Sequence, residues 1–244
     1  SIGLRVPGQK MKVVVLDDHG AYQRDCTIGE VGVLVVWGRN VFAGYRVPEQ
    51  NRGLWIECGD GIRWLNTGDL ARQDEEGYFW LTGRKKELII RGGHNIDPLT
   101  IEAPLHRHPA VQIAAAVGRP DPHAGELPVA YVQLRAGETA TEAELLAFLK
   151  AEIAERAALP RQVHIIDAMP LTAVGKIFKP ALKHRETRDA LSVALRDAGV
   201  AVSDLLVADE RSRGLVVAVH LELPASDAAA REVLGRFPFP FTVD

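Results

Sequence analysis

The chain has 244 residues, of which 47% are hydrophobic and 25% charged, with a net charge of −3 at neutral pH. That balance describes one large globular domain or two of ordinary size, and the interspersed signs exclude bulk attraction to nucleic acid or an anionic membrane. Cys26 and Cys58 lie in different segments with no C-x-x-C spacing, no apolar run approaches about 18 residues, and the start carries no leader pattern, so a reduced, cytoplasmic chain without a transmembrane segment is expected.

The opening "SIGLRVPGQK" reads as a glycine-punctuated connection within a domain, which suggests the C-terminal portion of something longer. Strands follow at "MKVVVL" (11–16), which ends in the turn "DDHG", and at "VGVLVVWG" (31–38). Further short strands separated by Gly, Asp and Asn occupy "GLWIECGDGIRWLNTGDLA" and "GYFWLTG", so residues 1–83 are expected to form an all-β subdomain. From 84 to 190 the pattern changes. "KELIIRGG" predicts a strand, and "DPLTIEAPLHRH" a helix with Asp97 as N-cap and Pro98 at its first position, shortened or disturbed by Pro104.

"VQIAAAVGR" and "LPVAYVQLR" read as strands, and 139–157 as a helix with Thr141 and Glu144 as a capping box. "QVHIID" is a short strand and "KPALKHRETRDALSVALRDAG" a final helix. The order strand–helix–strand–strand–helix–strand–helix predicts a small α+β domain. The extension 191–244 contains a strand at "GLVVAVHLEL" and a helix at "SDAAAREVLGRF", an α/β tail of unknown role.

Three stretches could carry chemistry. In "NTGDLA", Asp69 follows a tight Thr-Gly turn; a carboxylate held at a strand end can accept both hydroxyls of a diol, although a Gly-Asp pair also serves simply as a turn. In "LTGRKKELIIRGGHNIDPLTIE", Arg84 could donate to sugar or phosphate oxygens, and Gly92 and Gly93 leave room for a ligand against the backbone. The same stretch also reads as a basic connector into a glycine hairpin. In "MPLTAVGKIFKPAL", Lys176 follows Gly175. A phosphate loop would need a glycine where Pro170 stands and a hydroxyl where Ile177 stands, so either a different role or a solvated lysine remains. His106 and His108 lack a third ligand nearby, so no metal site is expected there. Ser203 in "DAGVAVSDLL" lacks the spacing and surrounding domain of a carrier-protein serine.

In this order, "NTGDLARQDEEGYFWLTGRKKELIIRGGHNIDPLTIE" closely resembles the T-G-D, G-Y and G-R-x-K-x-x-I-x-x-x-G-x-x-I-x-P-x-x-I-E signatures of the adenylate-forming acyl-CoA synthetase superfamily. "MPLTAVGKIFK" is similar to that family's late P-x-T-x-x-G-K-[IL] motif, and residues 29–45 to its G-E-x-G-E-[LI] to G-Y segment, with Val33 in place of the acidic residue. The resemblance covers roughly residues 1–190. It implies that 1–83 end a large N-terminal domain and that 84–190 form a small, mobile C-terminal domain. It also implies synthesis of an acyl-adenylate from a carboxylic acid and MgATP, then acyl transfer to CoA.

Carried onto this chain, Asp69 would hold the ribose hydroxyls, Arg84 would assist at ribose or phosphate, and Leu81 would lie near the adenine. Lys86 would be the hinge of the domain swing, Gly93 would line the CoA channel, and Lys176 would be the adenylation lysine. The family's phosphate-binding loop, its Mg²⁺-holding glutamate segment and its acyl pocket are not found in these residues, so the chain alone is expected to be inactive. The parent is expected to activate a fatty or related carboxylic acid. An adenylation domain that loads a carrier protein, and a non-catalytic module whose tail makes a homodimer, remain the alternatives.

Overall fold

Apart from Lys12, residues 11–16 are apolar on both faces, so the strand they form needs cover on two sides. In the computed structural model, which describes residues 1–17, 19–210 and 213–244, β1 (Gln9–Leu16) receives it. Val14 packs with Val33, Val35, Ile56, Trp64 and Leu70, and Val13 with Leu34, Val36, Ala71 and Phe79. Asp18, within the expected turn, lies outside the described residues.

The sheet is completed by β2 (Tyr22–Asp25), β3 (Gly32–Gly38), β4 (Trp55–Glu57), β5 (Arg63–Gln73) and β6 (Phe79–Arg84). Every pairing in it is antiparallel, in the order β2-β1-β3-β5-β4. The far edge of β5 is shared: β4 pairs along Arg63–Leu65 and β6 along Asp69–Gln73. Val33, the departure from the family pattern, is 4% exposed. An acidic side chain at that position would be a buried charge.

The chain divides into two compact units, Ser1–Leu88 and Ile89–Asp244. The division falls five residues beyond the expected border at Gly83, because β6 runs on to Arg84 and Leu88 packs with the first unit's core.

In the second unit the expected single strand at 86–93 is a hairpin, β7 (Ile89–Arg91) and β8 (His94–Ile96), turned by Gly92 and Gly93. Helix α1 (Leu99–Arg107) starts with Asp97 Oδ1 accepting from the Leu99 N–H at 2.9 Å. It runs through Pro104 rather than ending there. A long hairpin, β9 (Val111–Asp121) and β10 (Gly125–Leu134), follows, and α2 (Glu142–Glu152) crosses over to β11 (Gln162–Ile165), parallel to β10. The Thr141–Glu144 capping box opens α2. These elements enclose Ile89, Ile96, Ile101, Leu105, Leu145 and Leu149.

Helix α3 (Lys179–Asp197) spans the expected border at 190, so the extension does not begin as a separate body. Its last turns, with Leu191 and Leu195, join the core of a three-stranded sheet, β12 (Val202–Glu210), β13 (Gly214–Leu221) and β14 (Phe241–Val243), together with α4 (Asp227–Leu234). Strand β12 has no counterpart in the sequence reading. Ser203 lies on it and donates its hydroxyl hydrogen bond to the His220 carbonyl. The fold is therefore α+β. Among the described residues no helix is long and apolar enough to cross a membrane.

Candidate functional site

The expected turn at Thr67-Gly68 is instead a bulge inside the longest strand of the first sheet. Between the paired rows Val33–Leu70 and Val35–Asn66, β3 inserts only Leu34 while β5 inserts Thr67, Gly68 and Asp69. The surplus length is absorbed by Gly68 at φ +74°, a conformation that costs a residue with a Cβ. It is fastened by the Thr67 hydroxyl, which donates to the Leu34 carbonyl at 2.8 Å and accepts from the Asp69 N–H at 3.1 Å. A second irregularity lies on the other edge, where Thr82 is extra on β6 between the Leu70–Gly83 and Ala71–Leu81 rows.

Together the two bulges set Asp69 directly opposite Arg84, with Arg84 Nε 3.1 Å from Asp69 Oδ1. The Asp69 side chain is 26% exposed and that of Arg84 63%, so both reach solvent. An ionised carboxylate accepts about four hydrogen bonds. Engaging one guanidinium N–H therefore leaves Asp69 capacity for a pair of hydroxyl donors. Leu81, on β6, is exposed. Lys86 is also exposed, on the single 3-10 turn Lys85–Glu87 that follows β6.

The second unit carries Gly93 and Lys176. Gly93 is exposed at the tip of the β7–β8 hairpin. Lys176 lies on a small closed loop: the Thr172 N–H donates to the Lys176 carbonyl at 2.7 Å, and the Lys176 N–H donates back to the Thr172 hydroxyl at 3.1 Å. Gly175, at φ +78°, makes the reversal between them. Ile177 turns inward onto the cluster of Ala115, Val117, Tyr131 and Leu182, which leaves the lysine side chain in solvent. The Lys-Pro sequence that opens α3 places Pro180 in its first turn, where its missing N–H costs nothing. Asp69 and Arg84 are thus brought together in the first unit, and Gly93 and Lys176 occupy two loops of the second.

Sequence reasoning assigned no role to the charges buried under α3. Glu102 of α1 is 7% exposed; its Oε1 accepts from the Ala116 N–H at 2.8 Å and lies 2.9 Å from Lys179 Nζ. Lys183 Nζ is 2.7 Å from Glu126, whose other oxygen accepts from the Ile90 N–H. Glu186 is fully buried and accepts from Arg119 at 2.7 Å and from the Tyr131 hydroxyl, with His164 Nε2 at 3.3 Å. Burial pushes the Glu186 carboxyl up, but the bonds from His164, Tyr131 and Arg119 outweigh it and hold the group at about 2. The bond to Glu186 raises His164, against burial, which lowers it. Tyr131 is raised by burial first and by Glu186 second.

His108, one of the pair weighed as ligands, packs edge-on against Phe148 and accepts from the Ala110 N–H. Among the described residues no group of three or more His, Cys, Asp or Glu is placed to hold a metal ion.

Residues 100–176 match the model of the AMP-binding enzyme C-terminal domain. The marinolic acid–CoA ligase of a Pseudoalteromonas species is 46% identical over 237 residues, which is 95% of this chain and 34% of that protein. The sulfoacetate–CoA ligase of Cupriavidus necator is 43% identical over 61% of this chain and 28% of its own length. The crystal structure of ATP-bound MatB from Rhodopseudomonas palustris superposes with a TM-score of 0.66 at 32% identity, covering 75% of this chain and 35% of that one. The chain belongs to the adenylate-forming superfamily. Residues 100–176 are thus similar to the C-terminal domain of AMP-binding enzymes, and the chain spans about a third of the length of the curated relatives it matches.

Proposed function

We propose that the protein to which this chain belongs is an ATP-dependent acid–thiol ligase, which converts a carboxylic acid to its acyl-adenylate and then to its CoA thioester. The observation that carries this reading is the pairing of Asp69 with Arg84, built by two bulges and open to solvent. A sheet gains nothing structurally from two disruptions that meet at one carboxylate, whereas a ribose diol needs such an acceptor beside a cation. Asp69 holds the ribose hydroxyls, Arg84 donates to ribose or phosphate oxygens, and Leu81 lies beside the adenine. Lys86 is the hinge, and Gly93 borders the path of the CoA arm.

Lys176 contacts the substrate carboxylate and the α-phosphate during adenylation. In-line attack at phosphorus concentrates negative charge on both groups, and a compact ammonium on a flexible stem can bridge them. Mg²⁺ and the phosphate loop belong to parts of the enzyme that these residues do not supply. The acid is a fatty or related carboxylic acid, and the protein works in the cytoplasm. The acids in the relatives' names, marinolic, sulfoacetic and indoleacetic, differ widely in character. Those names favour CoA as acceptor over a carrier protein, and offering a holo-carrier protein in place of CoA tests that choice.

The deciding experiment is ATP–pyrophosphate exchange by the full-length protein over a panel of carboxylic acids. Lys176→Ala lowers exchange by about 10²–10³, the contribution of one donor that stabilises developing charge. Thioester formation from supplied acyl-adenylate largely survives. Unchanged exchange would overturn the role of Lys176. The 244-residue chain by itself forms no thioester from acid, ATP and CoA, and measurable turnover by it would overturn the view that it is a partial site.

A further inference from the structure

The bonds of the Lys176 loop fix its shape but not its aim. Thr172 and Lys176 bond to each other, and the Phe178 N–H donates to the Pro170 carbonyl, all within the loop. Its tip has no packing to steady it, since Val174 is 79% exposed. Direction has to come from where the loop leaves and rejoins the body of the unit. At the entry, the Met169 N–H donates to Gln133 Oε1 at 2.8 Å. At the exit, Lys179, the first residue of α3, reaches Glu102 at 2.9 Å, with side chains 18% and 9% exposed. Glu102 is itself fixed, because the same oxygen accepts from the N–H of the fully buried Ala116 on β9. The exit tether is charge-assisted and sheltered from solvent, which makes it stronger and more directional than a neutral bond.

We propose that Glu102 and Lys179 are positioning residues for Lys176: the pair locks the first turn of α3 onto α1 and β9, and thereby aims the lysine three residues upstream. This rests on the adenylation role given to Lys176 above. It assigns no contact with substrate to either residue. The other ion pairs of α3 among the described residues, Lys183–Glu126, His184–Asp209 and those of Glu186 with Arg119 and His164, begin a full turn further along and hold the helix rather than its start.

The test uses the full-length protein. Glu102→Gln keeps an acceptor for the Ala116 N–H and removes the charge, Lys179→Met removes the cation, and Lys179→Arg keeps it. For Glu102→Gln and Lys179→Met, the turnover of ATP–pyrophosphate exchange falls about tenfold while KM for ATP and acid moves less than about twofold, as loss of aim rather than of binding requires. Thioester formation from supplied acyl-adenylate stays at the wild-type rate, and Lys179→Arg restores exchange. The double variant is no slower than the slower single, because the two residues act as one unit.

Lys176→Ala is measured beside them. If it abolishes exchange while Glu102→Gln leaves exchange intact, the positioning role is overturned and the role of Lys176 stands. If both half-reactions fall together in Glu102→Gln and Lys179→Met, the pair is merely structural and the proposal fails. If Lys176→Ala itself leaves exchange intact, the underlying reading fails and this proposal with it.

Discussion

The two units place their functional side chains by different physical means. In the first, Asp69 and Arg84 are set by backbone register, through two bulges in a sheet whose buried residues are all apolar. In the second, the loop of Lys176 is tied to a helix pinned by buried carboxylates; Glu102 and Glu186, the buried charges among the described residues, both lie there. Register is enforced cooperatively by neighbouring strands, so it tolerates side-chain changes and yields to backbone ones. Ion pairs behave in the opposite way. They survive small backbone adjustments but fail when one partner is lost, because the remaining charge stays buried.

The sharpest way to break this contrast is Glu186→Ala. Removing the carboxylate leaves Arg119, Tyr131 and His164 facing one another without it, which should destabilise the second unit by about 3–5 kcal/mol. Unfolding of the 244-residue chain should then separate into two transitions when followed by denaturant titration, with the first unit's midpoint unmoved. A loss below about 1 kcal/mol, the usual worth of an exposed pair, would mean that buried charge does not organise this unit.

A smaller effect tests the other side of the contrast. Gly68→Ala forces a Cβ into the left-handed region at a cost of about 1–2 kcal/mol, and its Cβ would meet no atom within 4 Å, so the penalty is purely conformational. Gly175→Ala meets the same condition at nearly the same φ and should cost a similar amount. Their consequences in the full-length protein should diverge. Gly68→Ala displaces Asp69 and raises KM for ATP, whereas Gly175→Ala disturbs Lys176 and lowers the turnover of exchange. Steady-state kinetics that gave both variants the same signature would erase the distinction between the two sites.

Legibility in the sequence follows the same division. Backbone devices announce themselves through residue type: Gly68 after Thr67, Gly175 before Lys176 and the Thr141–Glu144 capping box could all be read as local features. Even so, "NTGD" reads as a turn, because nothing within it shows that strand pairing continues on both sides. The pairing of Asp69 with Arg84 depends on two bulges adding up correctly, and no local pattern contains that sum. The buried charges were less legible still. "KHRETRD" looks like the solvated face of a helix, since helical spacing alone cannot say which of its charges turns inward. Glu186 is decided by Arg119 and Tyr131, 67 and 55 residues away. Strand β12 escaped because Asp204, Asp209 and Glu210 interrupt its alternation.

The smallest effect is a pH dependence carried by the same cluster. His164 on β11 faces Glu186 of α3 at 3.3 Å and Glu142 of α2 at 3.9 Å, and lies against Tyr131, with Arg185 opposing the charge. The bond to Glu186 exceeds the cost of burial, so the imidazole holds its proton more tightly folded than unfolded. The stabilisation is therefore fully present below the ordinary value of 6.5 and is lost as pH rises through the raised one. Glu186 runs the other way: its contribution is present above 4.5 and is lost as pH falls toward about 2. Because the His164 ring is partly exposed, its share is about 0.5 kcal/mol or less, which for a chain of this size is a fall of about 1–2 °C in Tm. Melting the chain between pH 6 and pH 9 should show that fall, and His164→Asn should remove it while leaving the acid limb of Glu186 in place. A wild-type Tm that rose over the same range would mean that His164 enters the folded unit uncharged, and that Arg119 and Tyr131 alone hold the buried carboxylate.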